Sequence, residues 1–338
     1  MRLVWLILLC GIAGAAWALA PRAAYWGAGQ HTFLAALDDD TLRIAQLTPN
    51  DIHDLAAIPA AHISTITAGQ WQGNSTLLGA RGNSLLRLDL QQRHWTTLGN
   101  LPGNICEIHP SPDGTASALI LTGGNGLPVP HDGAVWLVRW GTRFCCSRVR
   151  EVADNFRPWQ LWWTRVAGEQ RFAAATYKAT PMVKFEHNCM FLFAWHAPKA
   201  EKRWLGSRLS RPYVDATHAD LRHDGNWRMV AVEEAHEGGY AISVYRPIGF
   251  GYEGEWRTGV VPGLLRVAAY GTTVVCWGKD AASGMPLAWA LQPEAGNEYH
   301  LIPIENPPPS LEALVHLPDS RLVFWWNGRW HICTMPVK

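Results

Sequence analysis

The sequence predicts an all-β chain closed into a single β-propeller, most simply with seven four-stranded blades and alternatively with six. Three observations predict this. Helical periodicity is almost absent beyond residue 20. Short apolar runs alternate with Gly, Asp, Asn and Pro turns, and a four-strand unit recurs along the chain.

The chain opens on "MRLVWLILLCGIAGAAWALA", with one Arg, an apolar run, and small residues before an A-x-A end. This pattern is that of a secretory signal over residues 1–20, cut after Ala18 or Ala20. An uncleaved amino-terminal anchor is the alternative. The remainder, 21–338, is expected to be one propeller domain, and no later stretch is apolar enough to span a bilayer. Export to the periplasm, the cell surface or the medium follows as an expectation.

Next come the runs themselves: "TFLAAL" and "TLRIAQL", then "STLLGA" and "SLLRLDL", then "SALILTG" and "AVWLVRW". The clearest repeat pairs a unit starting at Arg157 with one starting at Arg211. Each runs strand, loop, strand, hairpin, strand, and an aromatic-bearing fourth strand ("KRWLG", "GEWRTG"). Weaker copies start near Ile58, Leu101, Pro262 and Pro308, with further strands between Tyr25 and Ile58. The chain ends are expected to meet in or near a closing blade. Radial closure would protect the strand edges, and the 19 Trp would fill the widening space between blade faces.

Composition excludes some functions. Net charge is +1 and charged residues are 17%, so no nucleic-acid partner is expected. Without Cys10, six cysteines remain (Cys106, Cys145, Cys146, Cys189, Cys276 and Cys333), and no C-x-x-C suggests zinc. Export permits disulfides, although some of the six could serve as small buried apolar residues. No G-x-S-x-G, H-E-x-x-H, P-loop or dinucleotide fingerprint occurs. Acid pairs drawn from different blades would leave no local spacing.

The stretch "VDATHADLRHDGNWRMVAVEE" places a loop between two strands. With "SVYRPIGFGYEGEW" after it, the region Arg157–Gly259 resembles secreted bacterial propellers of the FG-GAP/VCBS-repeat type. Their loops read D-x-D-G-D-G-x-x-[DE] around a calcium ion. On that pattern Asp220 takes position 1 and Asp224 position 5. Arg222 stands at position 3, His223 at 4 and Arg228 at 9. Two carboxylates facing two guanidiniums make a poor dication site, so calcium is not expected. Arg222 is expected to be the internal counter-charge, bridging Asp220 and Asp224. The matching loop "TRVAGEQRF" carries Arg165, Ala167 and Glu169 at positions 1, 3 and 5. "HPSPDGTAS" resembles the turn of TolB-like and WD-like blades, without ligands.

Blade alignment puts His109, His218 and His316 near the ends of inner strands, with Thr67 and Thr164 at matching places. Three imidazoles at one level of a channel would suit a transition metal. The alternative is that they hydrogen-bond to neighbours, and no other cofactor is expected. Glu233, Glu234, His236 and Glu237 are expected in a solvated hairpin, Asp38 to Asp40 in a turn, and Asn74-Ser75-Thr76 is a formal glycosylation sequon. The expected function is an exported, non-catalytic module binding a protein, peptide or glycan. The alternatives are a polysaccharide-acting enzyme and a structural part of a cell-envelope assembly.

Overall fold

The computed structural model describes residues 22–28, 31–48, 51–123, 132–152, 154–180, 184–204, 209, 211–249, 251–317 and 321–333. The expected signal segment lies outside them. The described residues form seven antiparallel sheets, each built from consecutive strands. Six have four strands: blades 1 (23–59), 2 (65–100), 3 (105–148), 4 (158–204), 5 (213–257) and 6 (264–303). Blade 7 (314–333) has three among the described residues. The count is seven, and six is set aside. Each expected starting point lies within seven residues of an observed blade start.

The blades form because their second strands are apolar on both faces. The strands His31–Asp38, Ser117–Thr122 and Arg228–Glu234 are buried along nearly their whole length. Successive side chains on a strand point to opposite faces, so each such strand serves two neighbours. Leu119 and Leu121 pack towards blade 4 while Ala118 and Ile120 pack towards blade 2. Phe172 and Ala174 meet blade 3, and Ala173 and Ala175 meet blade 5. The outcome is seven apolar clusters, one at each seam between blades.

The seventh cluster closes the ring. Ala23, Leu34, Ala36 and Ala45 of blade 1 pack against Val315, Leu317, Val323 and Trp325 of blade 7. One backbone hydrogen bond, from Arg22 N–H to the carbonyl of Glu312 (2.8 Å), joins the ends beside the channel. Among the described residues no strand is shared between the two ends of the chain, which meet at the seam between blades 7 and 1, in keeping with the expected meeting in or near the closing blade.

Tryptophans occupy the seams as expected. The indole N–H of Trp140 in blade 3 donates to the carbonyl of Gln70 in blade 2 (2.6 Å), and that of Trp277 to the carbonyl of Pro308 (2.9 Å). Among the described residues no two cysteines form a disulfide. Cys189, Cys276 and Cys333 are buried as small apolar groups, and burial pushes the Cys333 thiol up to about 12. Glu233 departs from expectation: it is fully buried in its strand, accepting hydrogen bonds from Ser243 Oγ (2.7 Å) and the Tyr245 hydroxyl. Asp38 closes a strand and Asp39 turns with φ 51°, as the sequence indicates.

Candidate functional site in the central channel

The inner strands of all seven blades surround one cavity of about 820 Å³, within the size range of small-ligand sites. Its wall is built from adjacent residues of the inner strands. In the inner strand of blade 5, Tyr213–Ala219, Thr217 and His218 reach the wall, and in that of blade 4, Pro158–Val166, Gln160 to Trp163 do so.

Polar groups on these strands stitch one blade to the next. Glu107 Oε2 accepts the N–H of Leu161 in blade 4 (3.0 Å) and pairs with His109 Nε2 (2.8 Å). Two blades on, Asp215 Oδ2 accepts the N–H of Val267 (2.9 Å) and Arg266 Nε–H (2.9 Å), while Thr217 Oγ1 accepts the N–H of Ala269 (3.1 Å). Burial holds the Asp215 carboxyl above its ordinary range, outweighing the Arg266 guanidinium beside it. Each side chain takes up a backbone donor that has no ladder partner at the channel face.

All three expected histidines line the cavity. They are not brought together as a ligand set: among the described residues no group of three His, Cys, Asp or Glu side chains is placed to hold a metal ion. His109 is engaged by Glu107. His218, 3% exposed, has its Nε2 against the Tyr252 hydroxyl (2.8 Å) and its ring between Trp162 and Tyr252. Burial lowers its pKa to about 3, so the imidazole is neutral near pH 7. Thr67 is on the wall, whereas Thr164 is fully buried in its strand.

In the loop between the first two strands of blade 5 the counter-charge is a different cation from the one expected. Arg222 does not bridge Asp220 and Asp224. It turns outward to Glu255 Oε1 (3.2 Å), the Tyr299 hydroxyl (3.0 Å) and the carbonyl of Glu294 (2.8 Å), lying 4.6 Å from the Tyr299 ring centroid. Arg228 supplies the counter-charge, with Nη1 2.6 Å from both Asp224 oxygens and Nε 3.2 Å from Glu255 Oε2. Burial opposes ionisation of Asp224, but Arg228 and the Asn226 N–H hold its carboxyl below the usual range. Asp220 accepts the N–H groups of Asp224 (3.1 Å) and Gly225 (3.0 Å), closing a turn in which His223 and Gly225 take positive φ. A guanidinium at position 9 thus stands where the calcium-loop pattern has a carboxylate.

That knot positions the channel mouth. The N–H of Trp227 donates to the carbonyl of Arg165 (2.9 Å), and the Asn226 side chain accepts the N–H of Ala167 (2.8 Å). The loop is anchored to the matching turn of blade 4, and Trp227 is left on the cavity wall beside Trp162 and Trp163. Sequence reasoning found the loop and the histidines but missed Glu107, Gln160 and the three tryptophans. Glu107 in "ICEIHP" and Gln160, Trp162 and Trp163 in "RPWQLWW" stand on inner strands that the repeat locates, whereas no local signal marks Trp227.

No protein-family profile matches the chain, and no curated protein sequence matches it. Among solved structures, the chain is similar in shape to a candidate 6-phosphogluconolactonase from Bacteroides uniformis. The TM-score is 0.47 at 12% identity, over 82% of this chain and 88% of that one. The chain is a seven-bladed β-propeller. At that level of likeness nothing follows about its activity.

Proposed function

We propose that this propeller is an exported, non-catalytic binding module of the FG-GAP/VCBS-repeat kind with degenerate loops, holding a peptide or glycan segment of its partner in the central cavity. The single observation that supports it is the wall: Trp162, Trp163 and Trp227 converge with Tyr25 and Tyr270 around polar groups from several blades. Aromatic rings beside a few placed polar side chains suit recognition of a flexible ligand. The buried carboxylates are already committed to backbone donors and to His109 or Arg266, which favours structural roles over acid–base chemistry.

Glycan and peptide arrays probed with the mature chain and with Trp163→Ala test this. A ligand retained by the first and lost by the second is expected. Equal retention by both would place binding elsewhere on the molecule. A second reading, a polysaccharide-acting enzyme, is favoured by Glu107 and Glu312 sharing one cavity wall. Release of reducing sugar from the bound glycan, abolished in Glu312→Gln, would decide for it.

A further inference from the structure

We propose that the central cavity takes an organic ammonium group, that is, an amine carried on a flexible apolar stem. This rests on the binding role proposed above and specifies its ligand.

Three features of the wall converge on that chemistry. First, its sign: the lining includes the carboxylates of Glu107 and Glu312, from blades 3 and 7, and among the described residues it includes no Lys or Arg. Arg266 lies close enough to feel both acids, but its Nε–H is bound to Asp215, which is itself buried at the seam between blades 5 and 6. Guanidinium and Asp215 offset one another, and the acidic groups that remain on the wall are Glu107, paired with His109, and Glu312.

Second, the hydrogen-bonding capacity is on the acceptor side. Glu107 is 2% exposed and Gln160 6%, and each keeps one side-chain oxygen, Oε1, without a hydrogen-bond partner. Unpartnered buried acceptors are costly, and a ligand bearing N–H donors satisfies them. An anion would meet acceptors and carboxylates and would be repelled.

Third, the rings: Trp162, Trp163, Trp227, Tyr25 and Tyr270 share this lumen. Aromatic faces attract a desolvated cation through their quadrupoles and pack its alkyl stem. Acid, acceptor and aromatic together fit an ammonium better than they fit a phosphate, a carboxylate or a metal ion.

Titration calorimetry on the mature chain tests the proposal with matched probes: cadaverine, its neutral isostere 1,5-pentanediol, its anionic counterpart glutarate, and maltotriose. We expect cadaverine to bind at least about tenfold more tightly than the diol, a modest return for one cation among rings and carboxylates, and glutarate to give no heat. N-acetyl-lysine methylamide replaces cadaverine in a further arm. If it binds more tightly than the diamine, the source is a lysine side chain; the reverse order assigns a free diamine or polyamine. Glu312→Gln, at a half-buried position, should weaken the amine about tenfold, and Trp227→Ala at the mouth provides a second variant if the first is unstable. Binding of the diol, maltotriose or glutarate as tightly as cadaverine would overturn the ammonium while leaving a ligand-binding cavity. Absence of heat with every probe would overturn the ammonium irrespective of the array result, which tests the binding role separately.

Discussion

Arg228 is the residue on which the loop of blade 5 depends. It neutralises Asp224 at one end of its guanidinium and reaches Glu255 at the other, and Glu255 is 1% exposed. Arg228→Met should cost about 2–3 kcal/mol, less than the full penalty for an orphaned buried carboxylate because Arg222 still holds Oε1. Asp220→Ala removes only the acceptor of two turn N–H groups and should cost about 1 kcal/mol. Urea midpoints of the two variants should fall in that order, and added calcium should rescue neither.

His218 carries the pH dependence at this scale. Its folded pKa, about 3, lies below the ordinary 6.5, so between those values the unfolded chain binds the proton and the folded chain does not. The sign is therefore fixed: stability attributable to His218 is present above 6.5 and is lost as pH falls towards 3. His218→Gln should flatten that limb of the stability profile. An unchanged slope would show the imidazole to be solvated or differently paired.

Among the elements, the inner strands behave as paired units across seams. Asp215→Ala would remove the carboxylate that Arg266 and the Val267 N–H share and should cost about 3–5 kcal/mol. Thr217→Val removes a single neutral hydrogen bond to Ala269 and should cost about 1–2 kcal/mol. Both are measurable as urea midpoints, and a reversal of their order would deny Asp215 its clamping role. One glycine is sterically required here. A Cβ at Gly278 would lie 2.0 Å from the carbonyl oxygen of Gly263, at the shifted register where Leu264 meets Gly278.

For the whole molecule, closure rests on the seam between blades 7 and 1, where no strand is exchanged among the described residues. The seam between blades 7 and 1 depends on side-chain packing and one backbone hydrogen bond. Trp325→Ala should cost about 3–5 kcal/mol. Differential scanning calorimetry should show the whole transition move down, since an opened ring exposes the apolar faces of both end blades. A variant that melted blade 7 alone would show that the ring does not unfold cooperatively.

The sequence by itself determined the strands, their grouping in fours, the positions of the turns and the placing of His109, His218 and His316 on inner strands. These are local properties: alternation, turn chemistry and repeat spacing act over a few residues, and each blade is built from consecutive strands. Only the tertiary structure decided which partners the polar groups took. Arg222 and Arg228 were both available to Asp224, and the choice fell to Arg228 because Glu255, Tyr299 and the carbonyl of Glu294, from 33 to 77 residues further along the chain, drew Arg222 away. His109 and His218 share a wall without converging because each took a neighbour first: Glu107 for His109, Tyr252 for His218. Burial of Glu233 and the acidic, aromatic character of the cavity likewise arise from strands distant in sequence, where no local pattern records which side chains will meet.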